Sequence, residues 1–189
     1  MPHGSVKLSA NLRRRVRKLR CLLLDVDGVL TDGKLYLGSD GVEGKAFDIR
    51  DGSGIKMAQM AGLTVGWISG RPSEPTARRA KELAVKRLIQ GPRDKGQSVR
   101  EIQRDGGFSP EQTCFVGDDL LDIPAFEAVG FPVAVADASD DVRAAAVYVT
   151  RAKGGNGAVR EVVELILKTQ GVWQKALAAY WKHSSSPRQ

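Results

Sequence analysis

Short apolar runs alternate with amphipathic stretches along this chain, and few folds accommodate that rhythm. Residues 21–26, 63–68, 87–89, 113–116, 132–135 and 148–150 read as strands, most of them apolar or β-branched throughout. Between them, helical spacing runs through residues 53–61, 73–84, 95–104, 121–129, 139–146 and 158–168. Strands of uniformly apolar sequence are buried on both faces, and strands joined by helices pair in parallel. The expected fold is therefore α/β, a doubly wound and mainly parallel sheet with helices on both faces. Gly62 and Gly130 close helical patterns, and Ser109-Pro110-Glu111-Gln112 has the shape of a capping box. With 189 residues the chain fits one compact domain, read here as residues 21–171. A basic, helical arm precedes it (1–20), and a C-terminal helix with a flexible tail from His183 follows it (172–189). In that last helix Val172, Trp173, Ala176, Leu177, Tyr180 and Trp181 form one apolar stripe, expected to dock on the body or on an adjacent subunit.

One segment breaks the alternation. Residues 33–48, GKLYLGSDGVEGKAFD, hold two strand-like pieces around the turn signal Ser39-Asp40-Gly41. They predict a β-hairpin projecting directly after the first strand. An isolated hairpin is marginal in water, so this one needs a surface, either on its own domain or on another subunit.

Charge narrows the choice of partners. The net charge is +7, yet Lys7, Arg13, Arg14, Arg15, Arg17, Lys18 and Arg20 all fall in the first 20 residues with no acid among them. Removing those seven from 29 basic residues leaves 22 against 22 acidic ones, so the body is formally neutral. No nucleic-acid partner is expected from such a balance. Leu8, Leu12, Val16 and Leu19 recur at helical spacing, which predicts an arm packed on the body with a solvated basic face. No apolar run approaches the ~20 residues that cross a bilayer, and no secretory signal is visible, so no membrane partner and a cytoplasmic location are expected. Cys21 and Cys114 each begin an apolar run and read as buried hydrophobes in a reducing compartment. His3 and His183 lie near the ends, so a histidine triad and a zinc site both lack parts. Oxygen ligands must carry the chemistry.

Four strand ends supply them. In an open parallel sheet, ligands sit beyond the carboxyl ends of the strands. The first strand ends in Asp25-Val26-Asp27-Gly28, the second in Ser69-Gly70-Arg71, the third in Asp94-Lys95, and the fourth in Gly117-Asp118-Asp119 with Asp122 close behind. A phosphate monoester is dianionic and repels an attacking carboxylate; Mg²⁺, which takes hard oxygen ligands, relieves that repulsion. Asp25, Asp118 and the backbone carbonyl of Asp27 are the expected metal ligands. Ser69 and Lys95 are expected to hold phosphoryl oxygens, Asp25 to attack as nucleophile, and Asp27 to act as general acid and base. Asp119 and Asp122 fit either an outer layer around the metal or helix capping. A phosphoacceptor signalling domain uses the same residue types, but it accepts phosphate on a later strand, and here that strand ends in Ser69.

Together DVDGVLTDG, ISGR, DKG and GDDLLD resemble the haloacid dehalogenase superfamily. The order of FDIRDGSGIK, VAVADA and YVTRAKGGNGAVREV further resembles the 3-deoxy-D-manno-octulosonate 8-phosphate (Kdo 8-phosphate) phosphatase family, over about residues 19–171. That resemblance implies Mg²⁺-dependent hydrolysis of Kdo 8-phosphate to Kdo and phosphate, on the route to bacterial lipopolysaccharide. It also implies a homotetramer in which hairpins associate and neighbouring subunits complete each active site, which favours the second of the two hairpin settings. Spacing is consistent with this: only the hairpin follows the first motif, and residues 72–94 hold room for one helix and one strand, so no cap domain covers the site. By matching position, Asp48, Ile49, Arg50, Asp51 and Gly52 lie near the sugar or a subunit contact, and Gly70, Lys56, Arg71 and Arg79 face an anionic sugar acid. Lys56 stands where the family pattern suggests arginine. Gly154, Gly155, Gly157 and Arg160 match a glycine-rich block that either holds an anion at a helix N-terminus or forms a tight turn. The alternatives are a phosphatase for a sialic-acid-type 9-phosphate and a catalytically retired scaffold.

Overall fold

The computed structural model describes residues 8–39 and 41–184; His3, Lys7, Asp40 of the hairpin turn and residues 185–189 of the expected tail lie outside them. Six strands form one sheet: β1 (Cys21–Leu24), β4 (Thr64–Ser69), β5 (Arg87–Gln90), β6 (Thr113–Gly117), β7 (Phe131–Ala134) and β8 (Tyr148–Val149). Their order is β5-β4-β1-β6-β7-β8 and every pairing is parallel. β2 (Tyr36–Leu37) and β3 (Glu43–Gly44) pair antiparallel as the expected hairpin, with two residues in each strand. The chain runs outward from β1 through β4 to β5, then returns to β6 on the other side of β1. This reversal opens a crevice between β1 and β6, the place where doubly wound sheets bind ligands.

The core explains the sheet. All four residues of β1 are completely buried, as are Trp67 and Ile68 on β4, Phe115 on β6 and Phe131 on β7. α2 (Ile49–Met60) and α7 (Ala158–Thr169) pack together on one face, joined by α1 (Ala10–Lys18) and α8 (Trp173–Ser184). Right-handed crossovers put α3 (Glu74–Glu82) on that face too, and α4 (Lys95–Gly106), α5 (Ile123–Glu127) and α6 (Asp140–Ala145) on the other. Only α3 separates β4 from β5, so the crevice has no cap domain.

The arm is part of the body. Val16 and Leu19 are fully buried, and the Gln170 amide donates to their carbonyls at 3.2 and 2.8 Å. Arg15 reaches the Gly130 carbonyl and lies 5.9 Å above the Phe131 ring. α8 docks on its own chain: Ala176 is buried, the Tyr180 hydroxyl donates to Ser53 at 3.1 Å, and Arg160 and Lys168 cover the Trp173 ring. It continues to Ser184, so His183 is helical where a tail was expected. Cys21 and Cys114 are buried, free thiols, and burial pushes the Cys21 thiol up to about 12.

Three further differences from the sequence reading bear on the site. β1 stops at Leu24, which leaves Asp25 in the loop, although its N–H still bonds the Val116 carbonyl at 2.9 Å. α2 begins at Ile49 rather than 53, because the Asp48 side chain caps it by accepting from the Arg50 N–H at 2.6 Å, and Gly52 and Gly54 within it are contact points. A Cβ on Gly52 would lie 2.5 Å from an Arg79 nitrogen, and one on Gly54 3.2 Å from Arg160. The helix expected over 121–129 is a 3₁₀ turn (Leu120–Asp122) followed by the short α5, with Pro124 at its start.

The glycine-rich block resolves into a turn. Gly154 lies so close to the first loop that a Cβ would sit 1.6 Å from the Gly28 carbonyl oxygen, and the Gly155 N–H donates to Val29 at 2.9 Å. The α7 N-terminus behind it does hold an anion, but an internal one. Asp51, 1 % exposed, accepts from the N–H groups of Gly157 and Arg160 at 3.2 and 2.7 Å. Asp51→Ala strands two donors and is expected to lower stability by about 2 kcal/mol, read as a reduced urea midpoint at unchanged slope. A loss below about 0.5 kcal/mol would contradict the capping role.

Candidate active site

Each strand end delivers its side chain into the crevice for a local reason. Asp25 leaves β1 between β4 and β6. Gly28 follows with φ +95°, and a Cβ there would lie 2.0 Å from an Asp118 carboxylate oxygen, so only glycine lets the two loops meet. Lys95 is the first residue of α4, fixed by its N-cap Asp94, which accepts from Gly96 and Gln97. Asp122 closes the 3₁₀ turn after β6 and folds back beneath Gly117.

These residues form one buried ionic centre. Lys95 Nζ donates to Asp25 Oδ1 and to Asp122 Oδ1, each at 2.6 Å. Side-chain exposures of 8, 4 and 0 % for Lys95, Asp25 and Asp122 put the contacts out of water. Asp122 Oδ2 also accepts from the Asp118 and Asp119 N–H groups at 2.9 and 3.3 Å. Asp122 thus sets both the ammonium of Lys95 and the backbone that carries Asp118, while Asp119 is exposed and outside the centre. The sequence places Lys95 toward a phosphoryl group; the structure shows its ammonium donating to two carboxylates, Asp25 and Asp122.

One ammonium does not balance three carboxylates. Burial, then the charge of Asp122, pushes Asp25 up to about 7; burial, then the charges of Asp25 and Asp122, pushes Asp118 up to about 8. Burial opposes the Lys95 charge, yet Asp25 and Asp122 together hold it above the ordinary lysine range. Asp25, Asp118 and Asp122 present oxygens all within 4.8 Å of one another, and Asp118 Oδ1 is buried without a hydrogen-bond partner. A hard divalent cation fits this donor set: it supplies the missing charge and a partner for the orphaned oxygen.

Asp27 belongs to a second group built largely by the hairpin. Lys45 Nζ donates to Asp27 Oδ1 at 2.5 Å and to Thr76 Oγ1 at 3.2 Å. Ser69 donates to the Arg71 carbonyl at 3.0 Å, with Asp27 Oδ2 3.4 Å away. Arg71 makes a two-pronged pair with Glu43 at 2.7 and 2.8 Å, and Ser73 adds a third contact. The Arg71 bonds, with help from Ser73, hold Glu43 at about 2. Lys45, Glu43 and Thr76 escaped the sequence reading. The available signal was spacing: Lys45 and Phe47 stand at alternate positions in the extended segment after β3, and Phe47 stacks on Trp67, 6.4 Å away.

The expected sugar contacts scatter. Asp51 is withdrawn from the site because it caps α7, and Gly52 because Arg79 covers it. Asp48 caps α2 and pairs with Arg50, which also donates to Asn156 at 2.8 Å. Arg79 pairs with Glu82 at 2.7 Å, and Arg71 is held by Glu43 rather than free. Gly70 is exposed beside the Lys95 stem; Lys56 is half-buried on α2 and has no ion pair among the described residues. Ile49 is 80 % exposed at the start of α2.

Comparison with known proteins places this arrangement among relatives. The haloacid dehalogenase-like hydrolase family matches residues 87–162. The 3-deoxy-D-manno-octulosonate 8-phosphate phosphatase of Escherichia coli (strain B / BL21-DE3) is 43 % identical over 169 residues, 89 % of this chain and 90 % of that one. The crystal structure of the Yersinia pestis phosphatase of the same name superposes with a TM-score of 0.86 at 42 % identity, over 88 % of this chain and 90 % of that one. That of the Moraxella catarrhalis phosphatase, in complex with magnesium ion, phosphate ion and KDO, does so at 0.88 and 36 %, over 92 % and 99 %.

The charge imbalance has a measurable consequence. A carboxylate whose pKa is raised on folding binds more protons in the folded state, so stability falls as pH rises through the interval between unfolded and folded values. With a chelator present, the melting temperature is expected to fall between about pH 5 and about pH 8, and Asp118→Asn or millimolar Mg²⁺ to flatten that fall. An equal slope in all three conditions would show that the cluster carries no excess negative charge.

Proposed function

Because this chain belongs to the 3-deoxy-D-manno-octulosonate 8-phosphate phosphatase family of haloacid dehalogenase-like hydrolases, we propose that it hydrolyses Kdo 8-phosphate to Kdo and inorganic phosphate with Mg²⁺ as cofactor. The observation that carries the reading is the centre of buried Asp25, Lys95 and Asp122 with half-buried Asp118 at the β1/β6 crevice, with Asp27 beside it. Asp25, Asp118 and the Asp27 carbonyl would hold the ion. When bound, Mg²⁺ supplies the positive charge that lets a carboxylate approach a phosphoryl group.

The remaining work falls to side chains. Asp25 attacks phosphorus in line and forms an aspartyl-phosphate, dividing the reaction into two steps. Asp27 protonates the departing sugar oxygen, then removes a proton from the water that releases phosphate. Ser69 and Lys95 steady the phosphoryl oxygens, and Asp122 positions Lys95. Gly70 and Arg71 border the phosphoryl site. Arg50 and Lys56, with groups from neighbouring subunits, are proposed to meet the sugar acid, whose carboxylate suits an arginine fork.

A homotetramer accompanies this proposal. Leu35, Tyr36, Leu37 and Val42 at the hairpin are 57, 45, 71 and 63 % exposed, more apolar surface than a free hairpin tip keeps in water. Their association, with neighbours over the open crevice, would shield the aspartyl-phosphate from uncontrolled hydrolysis. A cytoplasmic site of action fits the proposed role in lipopolysaccharide precursor synthesis; among the described residues no helix is long and apolar enough to cross a membrane.

Asp25→Asn is expected to reduce phosphatase turnover by at least about 10³-fold with Kdo 8-phosphate and p-nitrophenyl phosphate alike. For wild type, kcat/KM for Kdo 8-phosphate should exceed that for a sialic acid 9-phosphate, and a preference the other way would overturn the substrate. Light scattering should give four times 20.4 kDa, and a fully active monomer would remove the tetramer.

A further inference from the structure

The hairpin enters its own catalytic centre through a residue outside the Asp-x-Asp pattern. Lys45 follows β3 directly, and its side chain is 0 % exposed. A lysine gives up water completely only where its donors find partners. Here Nζ reaches Asp27 Oδ1 at 2.5 Å, Thr76 Oγ1 at 3.2 Å and Glu43 Oε1 at 3.7 Å. One ammonium therefore ties the loop after β1, helix α3 and the hairpin together. The two-pronged Arg71–Glu43 pair clamps the same strand, so the segment carrying Lys45 cannot swing away without breaking that fork. Asp27 is left with two unlike oxygens. Oδ1 is taken by Lys45, whereas Oδ2 faces Ser69 Oγ at 3.4 Å and Arg71 Nε at 3.8 Å.

We infer that Lys45 is a positioning residue for proton transfer, holding Asp27 by Oδ1 so that Oδ2 alone is presented to the reacting oxygens. The inference rests on Asp27 being the acid and base of the proposed reaction. In the first half an Asp25 oxygen bonds to phosphorus, the bond from phosphorus to the sugar oxygen breaks, and the proton on Oδ2 passes to that oxygen. In the second half Oδ2 takes a proton from water as the water oxygen bonds to phosphorus and the Asp25 oxygen leaves. In both halves a donor on Oδ1 keeps the mobile proton on the other oxygen. Without Lys45 the carboxyl group is free to turn and to carry its proton on the wrong side. Misplacement of about 1 Å costs roughly a hundredfold in rate.

Leaving-group dependence separates positioning from packing. An alkyl sugar phosphate needs its departing oxygen protonated, whereas the phenolate of p-nitrophenyl phosphate departs without a proton. kcat/KM isolates the first half-reaction, because release of the alcohol commits the enzyme. Lys45→Met and Asp27→Asn are compared with wild type on p-nitrophenyl phosphate and on the alkyl sugar phosphate that wild type hydrolyses best. The ratio of the two esters within one preparation does not depend on how much of it is folded. Lys45→Met is expected to lower kcat/KM for the alkyl ester about ten to a hundredfold more than for the aryl ester, and Asp27→Asn to show the same selectivity more strongly. Equal losses on both esters in Lys45→Met, beside a selective loss in Asp27→Asn, would overturn the positioning role. Equal losses in both variants would overturn the assignment of Asp27 as the acid and, with it, any role for Lys45 in proton transfer.

Discussion

The crevice depends on a charge imbalance that the fold imposes and does not relieve. Three carboxylates meet one lysine between β1 and β6, and apolar strands behind them exclude water. Such a centre is destabilising on its own, since buried charges cost several kcal/mol each unless they are paired. It is tolerated because the sheet around it is held by residues that have no part in the chemistry: the four buried residues of β1, Trp67 and Phe115 on the strands beside it, and Phe131 one strand further out. The same imbalance makes the site suitable for a cation and, through that cation, for a dianionic ester. Glycine recurs where the loops approach. Gly28, Gly117 and Gly154 each admit a neighbour that any side chain would displace.

The hairpin connects this centre to the rest of the molecule in two directions. Its strand edges carry Leu35, Tyr36, Leu37 and Val42 outward, while Glu43, Lys45 and Phe47 return to the body. Glu43 fixes Arg71, Lys45 fixes Asp27, and Phe47 stacks on Trp67 in the core. An element read as a projection is therefore anchored at its base by one ion-pair fork, one buried ammonium and one ring. Association at the tip and alignment of the acid at the base would then be properties of a single short segment.

Much of the architecture could be read from the chain because strand burial and helix periodicity are local signals. The parallel strands and the convergence of Asp25, Lys95 and Asp118 follow from apolar runs ending in acidic or basic residues, and the absence of a cap follows from the short intervals between those ends. What escaped depends on contacts far apart in sequence. Residues 49–52 fall outside the helix read from the sequence, yet they lie inside α2, where Arg79 from α3 fills the space a Cβ on Gly52 would need. Asp51 looked like a sugar ligand and instead caps α7 from 106 and 109 residues away. Arg71 looked free for a carboxylate and is bound to one supplied by the hairpin. Of the two readings of Asp122, the structure shows the capping one, through Oδ2 to the Asp118 and Asp119 N–H groups, and adds a contact that neither contained, Oδ1 to Lys95.

The account requires that phosphorus become bonded to the first carboxylate of the Asp-Val-Asp triplet. Quenching the enzyme during turnover, reducing it with borohydride and sequencing its peptides by mass spectrometry reads that bond directly, because an acyl phosphate is reduced to an alcohol and a free carboxylate is not. Homoserine at position 25, absent without substrate, is the result expected. Homoserine at position 27 or 118, or an unmodified chain under conditions of steady turnover, would contradict the mechanism.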